Sequence, residues 1–173
     1  MDIFCEWMVK RKKKKLDYVL EGILIVIALY LSFIAFAMMS VFKSFTLLVI
    51  AAIWYGVYYL INRKNIEYEY TLTNNILDID RIFAKKSRKR ITSIDIAKVD
   101  YIRPVEEKDL EKNPEIFDHF LCECKESMKN YVMVLARDGK MHRVFFTPND
   151  KMKKGLKQMN PSKVTIEVDE DVE

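Results

Sequence analysis

Hydrophobic positions follow three regimes along this chain. Across residues 19–38 and 45–61 they are almost continuous, after Arg63 they alternate with polar ones, and from Met152 they recur at helical spacing. The first run holds one acid, Glu21, near its start, and its length of about 20 residues suits a hydrocarbon core roughly 30 Å thick. The second, about 17 residues, sits at the short end of what crosses. Neither reads as a cleaved signal peptide, since the apolar block is too long and no small-residue cleavage site follows it. The pattern predicts a two-helix transmembrane hairpin.

Charge gives that hairpin a direction. Arg11, Lys12, Lys13, Lys14 and Lys15 precede it, Arg63 and Lys64 follow it, and the connecting turn carries only Lys43. The positive-inside bias therefore predicts a multi-pass cell-membrane protein with both termini in the cytoplasm. Trp54, Tyr55, Tyr58 and Tyr59 gather towards the cytoplasmic end of the second span, where aromatic rings anchor a helix. Ser32, Ser40, Thr46, Ala51, Ala52 and Gly56 are small, as close helix approach in a bilayer requires. Glu21 and Lys43 lie near the boundaries, so nothing here indicates transport.

Beyond Arg63 the period becomes two. Ile66, Tyr68, Tyr70 and Leu72 alternate with Glu67, Glu69 and Thr71, which predicts a half-buried strand. Thr73, Asn74 and Asn75 make a turn, and residues 76–83 supply an antiparallel partner. Further strands are expected over 91–96, 99–102, 131–136 and 141–146, with Asp138 and Gly139 as a two-residue hairpin signal. Residues 132–136 are apolar on both faces, which predicts a central strand. Thr147 with Pro148 and Asp150 reads as a capping-box-like start to a last helix that carries Met152, Leu156 and Met159 on one stripe and stops at Pro161.

The expected organisation is a basic amphipathic segment over 1–15, the hairpin over 16–64, a cytosolic β domain over 65–160 with an acidic insert at 105–128, and a frayed acidic tail over 161–173. In the first segment Ile3, Phe4, Trp7 and Met8 share one side if the chain is helical. Such a helix would lie at the membrane surface, its lysines facing anionic phosphates. The alternative is that these cations only orient the first span.

Net charge is +4, but it is unevenly spread: residues 11–15 and 85–90 are basic, whereas 106–126 and 167–173 are acid-rich. That distribution favours separate surfaces of opposite sign over a nucleic-acid binder. Cys5, Cys122 and Cys124 are odd in number and placed in a reducing compartment, so free thiols are expected.

Two resemblances add to this reading. The segment Glu67-Tyr-Glu-Tyr-Thr-Leu-Thr-Asn-Asn-Ile-Leu-Asp-Ile-Asp-Arg-Ile82 is similar to the opening hairpin of bacterial pleckstrin-homology-like (PH-like) modules found behind paired transmembrane helices. With the basic run 85–90, Glu6-Trp-Met-Val-Lys-Arg11 and Phe145-Phe-Thr-Pro148, the chain resembles DUF6106, a family of uncharacterised membrane proteins of Gram-positive bacteria. The resemblance implies an α+β fold: a transmembrane hairpin followed by a small antiparallel PH-like sheet with a C-terminal capping helix.

Chemistry is sparse. His119, Cys122 and Cys124, with His142 or Cys5, lack the paired spacing of a zinc site, and Asn113 and Pro114 can instead start a helix that buries Ile116, Phe117, Phe120, Leu121 and Cys124. Asp78 with Asp80, and Glu67 with Glu69, share strand faces like paired catalytic carboxylates, but equally like the solvated side of an amphipathic sheet. No nucleophile elbow, phosphate-binding glycine loop or zinc-protease motif is present. The expectation is a non-catalytic, cofactor-free, metal-free membrane-anchored binding or scaffold module. Its candidate surface for anionic lipid or a partner is Lys85, Lys86, Arg88, Lys89 and Arg90, against the alternative of a solvated turn. The rival readings are a self-assembling structural protein, which would be a homo-oligomer, and a regulatory subunit of a larger membrane complex.

Overall fold

The computed structural model describes residues 4–39, 43, 45–125, 127 and 129–166. Ile3, Ser40, Glu126 and the acidic stretch 167–173 of the sequence reading lie outside these residues. The chain divides into two compact units, residues 12–65 and the remainder.

The smaller unit is a pair of helices, α1 (Lys15–Ala37) and α2 (Phe45–Arg63). Both are long and apolar enough to cross a membrane, and most of their side chains are exposed. The two helices pack on each other, with Ala28 and Thr46 as their buried residues. The Lys13 ammonium lies 2.6 Å from the Glu21 carboxylate, which neutralises the one acid of the first run.

The larger unit is two four-stranded sheets and a helix. The first sheet has the order β1 (Phe4–Lys10), β2 (Ile66–Thr73), β3 (Ile76–Phe83), β4 (Ser87–Asp95), all antiparallel. The second has the order β5 (Tyr101–Pro104), β7 (Tyr131–Arg137), β8 (Lys140–Phe146), β6 (Ile116–Phe120), with β6 parallel to β8. Tyr70, Leu72, Leu77 and Ile79 of the first sheet and Met133, Val144 and Phe146 of the second form the shared core. Helix α3 (Asp150–Met159) adds Met152 and Leu156 to it. Burial of these side chains, at about 25 cal/mol per Å² of apolar surface, is the main force holding the sheets together.

Hairpin chemistry is local and readable. Asp138 and Gly139 take φ of 53° and 72°, the primed-turn geometry that Asp-Gly favours. Asn74 takes φ of 50° in the β2–β3 turn. As expected, β7 is an inner strand, flanked by β5 and β8.

Four local expectations are corrected. Phe4–Lys10 is strand β1, not an interfacial helix: Cys5 and Val9 alternate into the core, and pairing with β2 satisfies the backbone. A short run with apolar residues at both spacings is decided by its partner. Ile116–Phe120 is strand β6, not a helix, because the Asn113 carboxamide accepts the Glu115 N–H in an Asx turn and β8 offers a ladder. The last helix is capped by Asn149, whose side chain accepts from the Met152 N–H at 2.9 Å, so Thr147 stands outside it. Residues 163–166 of the expected tail are not frayed, since Val164 bridges Ile102, and Val164 and Ile166 are buried.

The acidic insert is ordered over its described residues. The Tyr70 hydroxyl donates to the Leu121 carbonyl, the Thr147 hydroxyl donates to the Asn130 carboxamide at 2.8 Å, and the Asn130 amide donates to the Cys124 carbonyl. Arg143 makes a two-pronged contact with Asp118, at 2.6 and 3.0 Å, and donates to the Glu111 carbonyl at 3.0 Å.

Candidate functional site

Strand β4 carries the basic run, and a β-bulge decides where it points. Ile79 pairs with Thr92 but Asp80 pairs with Arg90, leaving Ile91 as the extra residue. One inserted residue exchanges the faces of everything beyond it. Ile91 therefore packs towards the core, while Arg88 and Arg90 join the acidic outer face of β2 and β3.

On that face Arg88 ion-pairs with Glu69 and lies 3.8 Å from Asp80. Arg90 reaches Asp78 at 3.1 Å and Asp80 at 3.4 Å. Two of the five expected surface cations are thus held by their own sheet. Lys89 points to the opposite face, and Lys85, Lys86 and Lys89 are exposed. Ala84 and Lys85 take φ of 50° and 57° in the turn that presents the lysines.

All four candidate catalytic carboxylates lie on this same sheet face. Glu67, Glu69 and Asp80 are buried beneath it rather than solvated. Burial and a hydrogen bond with Glu6 push the Glu69 carboxyl up, with Asp80 adding to the shift and Arg88 opposing it. On this face two guanidiniums are held among Glu69, Asp78 and Asp80.

Elsewhere the structure separates the candidate metal ligands. Cys5 sits in the shared core and Cys122 in a second apolar cluster with Val132, Val134 and Phe145. Burial raises both thiols, Cys122 to about 11, so they are protonated and weak ligands. His119 and His142 do come together, with ring nitrogens 3.0 Å apart and planes within 13°. Their 5.3 Å centroid separation is that contact lengthened by one ring radius at each end, so the rings meet edge to edge and share a proton. Burial and His142 lower the His119 pKa. One ring nitrogen donates its N–H to the lone pair of the other, which leaves no space for an ion between them. Among the described residues no group of three or more His, Cys, Asp or Glu is placed to hold a metal.

One concavity was not legible in the sequence. A cleft of about 600 Å³ opens between the β1 edge, the end of β5 and the start of α3, lined by Trp7, Lys10, Lys129 and Lys153 with Glu123 and Asp150. These residues come from distant segments, so no local spacing announces them. A second cleft of about 320 Å³ lies beside the histidine pair.

Two sheets sharing one core, closed by a C-terminal helix, define a PH-like domain. The chain belongs to the family described as Bacterial PH-like domain (DUF6106), whose model matches residues 1–166. The match begins before the helical pair, in agreement with β1 being part of the sheet. No curated protein and no solved structure matches the chain.

Proposed function

We propose that this protein is a non-catalytic binding module anchored in the cell membrane, with both termini cytoplasmic. The observation that carries this reading is the topology: β1 and β2 are adjacent paired strands, and the whole helical pair is inserted between them. The links are Arg11 to Lys14 on one side and Lys64 with Asn65 on the other. Ile66, the first residue of β2, pairs with Phe83, so the Lys85–Lys86 turn lies at the sheet end where the chain leaves for the hairpin.

Lys85 and Lys86 are the remaining candidate cations of the sheet unit for an anionic leaflet, and Arg11, Lys12, Lys13, Lys14, Lys15, Arg63 and Lys64 are the juxtamembrane ones. Each lysine or arginine close to an anionic leaflet contributes about 1 kcal/mol, and tethering raises the effective concentration of the surface. Arg88 and Arg90 leave the proposed lipid surface because carboxylates already hold them. Hydrogen exchange of the full chain in nanodiscs tests this. Amides of residues 84–86 are expected to slow when phosphatidylglycerol replaces phosphatidylcholine, and equal rates in both lipids contradict headgroup contact.

A further inference from the structure

The two histidines of the chain meet beside a cleft of about 320 Å³, and we infer that this cleft takes up a small carboxylate with an apolar body together with one proton. All the residues lining it belong to the sheet unit, so the inference does not rest on the membrane-anchored reading. Its volume is at the lower end of small-molecule sites, which limits the ligand to a compact one. The wall is aliphatic: Ile94, Leu121 and Val144 are buried, and Ile91 and Leu135 are half-buried.

Against that wall stand His119, His142 and Arg137, with Asp138 as the one acid lining the cleft. The Asp138 side chain is 92% exposed and lies 3.9 Å from the Arg137 guanidinium, so water screens it and it neutralises little. A carboxylate answers these cations while its carbon chain covers the aliphatic wall. Inorganic phosphate would leave the wall bare.

The histidine pair can take a charge without coming apart. One ring nitrogen already donates its N–H to the other across 3.0 Å, so an added proton goes to the outer nitrogen of the donating ring. The contact then becomes an imidazolium–imidazole hydrogen bond. Its surroundings leave that charge largely uncompensated. Burial, His142 and Arg137 lower the His119 pKa against the pull of Asp118, whose carboxylate is itself held by Arg143 at 2.6 and 3.0 Å. Lys140 stands over the Phe117 ring that stacks on His142, and β4 faces the cleft with Ile91, Thr92 and Ile94, none of which titrates. An anion in the cleft supplies the missing compensation, so ligand and proton strengthen each other's binding by the same factor.

The test uses the full chain in phosphatidylcholine nanodiscs, made without a histidine tag and labelled with a heavy nitrogen isotope at histidine alone. Every signal in its nuclear magnetic resonance spectrum then comes from the pair. Hexanoate is expected to move the ring nitrogens towards their imidazolium positions and to saturate, whereas acetate should need about tenfold more or beyond, and hexanol should leave protonation unchanged. Hexanoate affinity should rise by up to about tenfold for each unit fall in pH. Leu135→Trp, or Thr92→Phe where the first alters the spectrum of the free chain, fills the cleft and should abolish the response. Absence of any response to hexanoate overturns the inference. So does an equal response to acetate or hexanol, an affinity indifferent to pH, or a response that survives filling of the cleft.

Discussion

The two sheets share a core but treat their outer faces in opposite ways. The first sheet's outer face is a lattice of Glu69, Asp78 and Asp80 with Arg88 and Arg90. The second sheet's outer face is apolar, with Val132, Val134 and Phe145 packed against Phe120, Cys122 and Val105 of the insert. An acidic segment thus serves as the lid of a hydrophobic face, while the basic strand that resembles a binding surface is largely committed to its own neighbours. Charge in a sequence reports where water is near, and only pairing reports which charges are available.

If the contrast is right, breaking the covered face should cost far more than breaking the charged one. Phe145→Ala removes a ring with no exposure that stacks on Phe120 at 4.5 Å, and should destabilise the domain by about 4 kcal/mol in urea unfolding of the detergent-solubilised chain. Arg143→Ala strands the Asp118 carboxylate and frees the Glu111 carbonyl, at a cost of about 3 kcal/mol by the same measurement. Thr147→Val leaves the Asn130 carboxamide short of a donor and should cost about 2 kcal/mol, with faster hydrogen exchange across the insert.

The charged face should respond weakly. Arg90 is 61% exposed at its side chain, so Arg90→Ala should cost below about 1 kcal/mol, and less still in high salt. Glu69 sharpens the comparison through its pH dependence. Its carboxyl is raised in the folded state, so the folded chain binds that proton more tightly than the unfolded chain does. The resulting stability is present below the ordinary carboxylate pKa and is lost as pH rises through the raised folded value. Glu69→Gln should therefore flatten the stability profile above pH 4.5 and leave the protein slightly more stable at neutral pH.

Much of this architecture was legible because its signals are local. The helical pair follows from uninterrupted apolar runs, the β2–β3 and β7–β8 hairpins from Asn74 and from Asp138-Gly139, and the capping helix from the stripe of Met152, Leu156 and Met159. What escaped depends on partners far away in the chain. β1 is a strand because β2, on the other side of the helical pair, completes its ladder. β6 is a strand because β8 accepts it in parallel, and Val164 is anchored because Ile102 lies beside it. The candidate surface was half legible: the run 85–90 announced itself, but the bulge at Ile91 that turns Arg88 and Arg90 onto the acids is invisible without the register. The Trp7 cleft gave no signal, because its lysines belong to segments that folding alone brings together.

We propose that two membrane spans inserted between adjacent strands leave both strands on one side of the bilayer, the cytosolic side by the charge of their flanks. Protease digestion of the full chain carrying a small tag at each terminus tests it most directly, comparing intact cells with inverted membrane vesicles. The account predicts both tags protected in cells and both cut in vesicles. Cleavage of either tag from outside intact cells would contradict it.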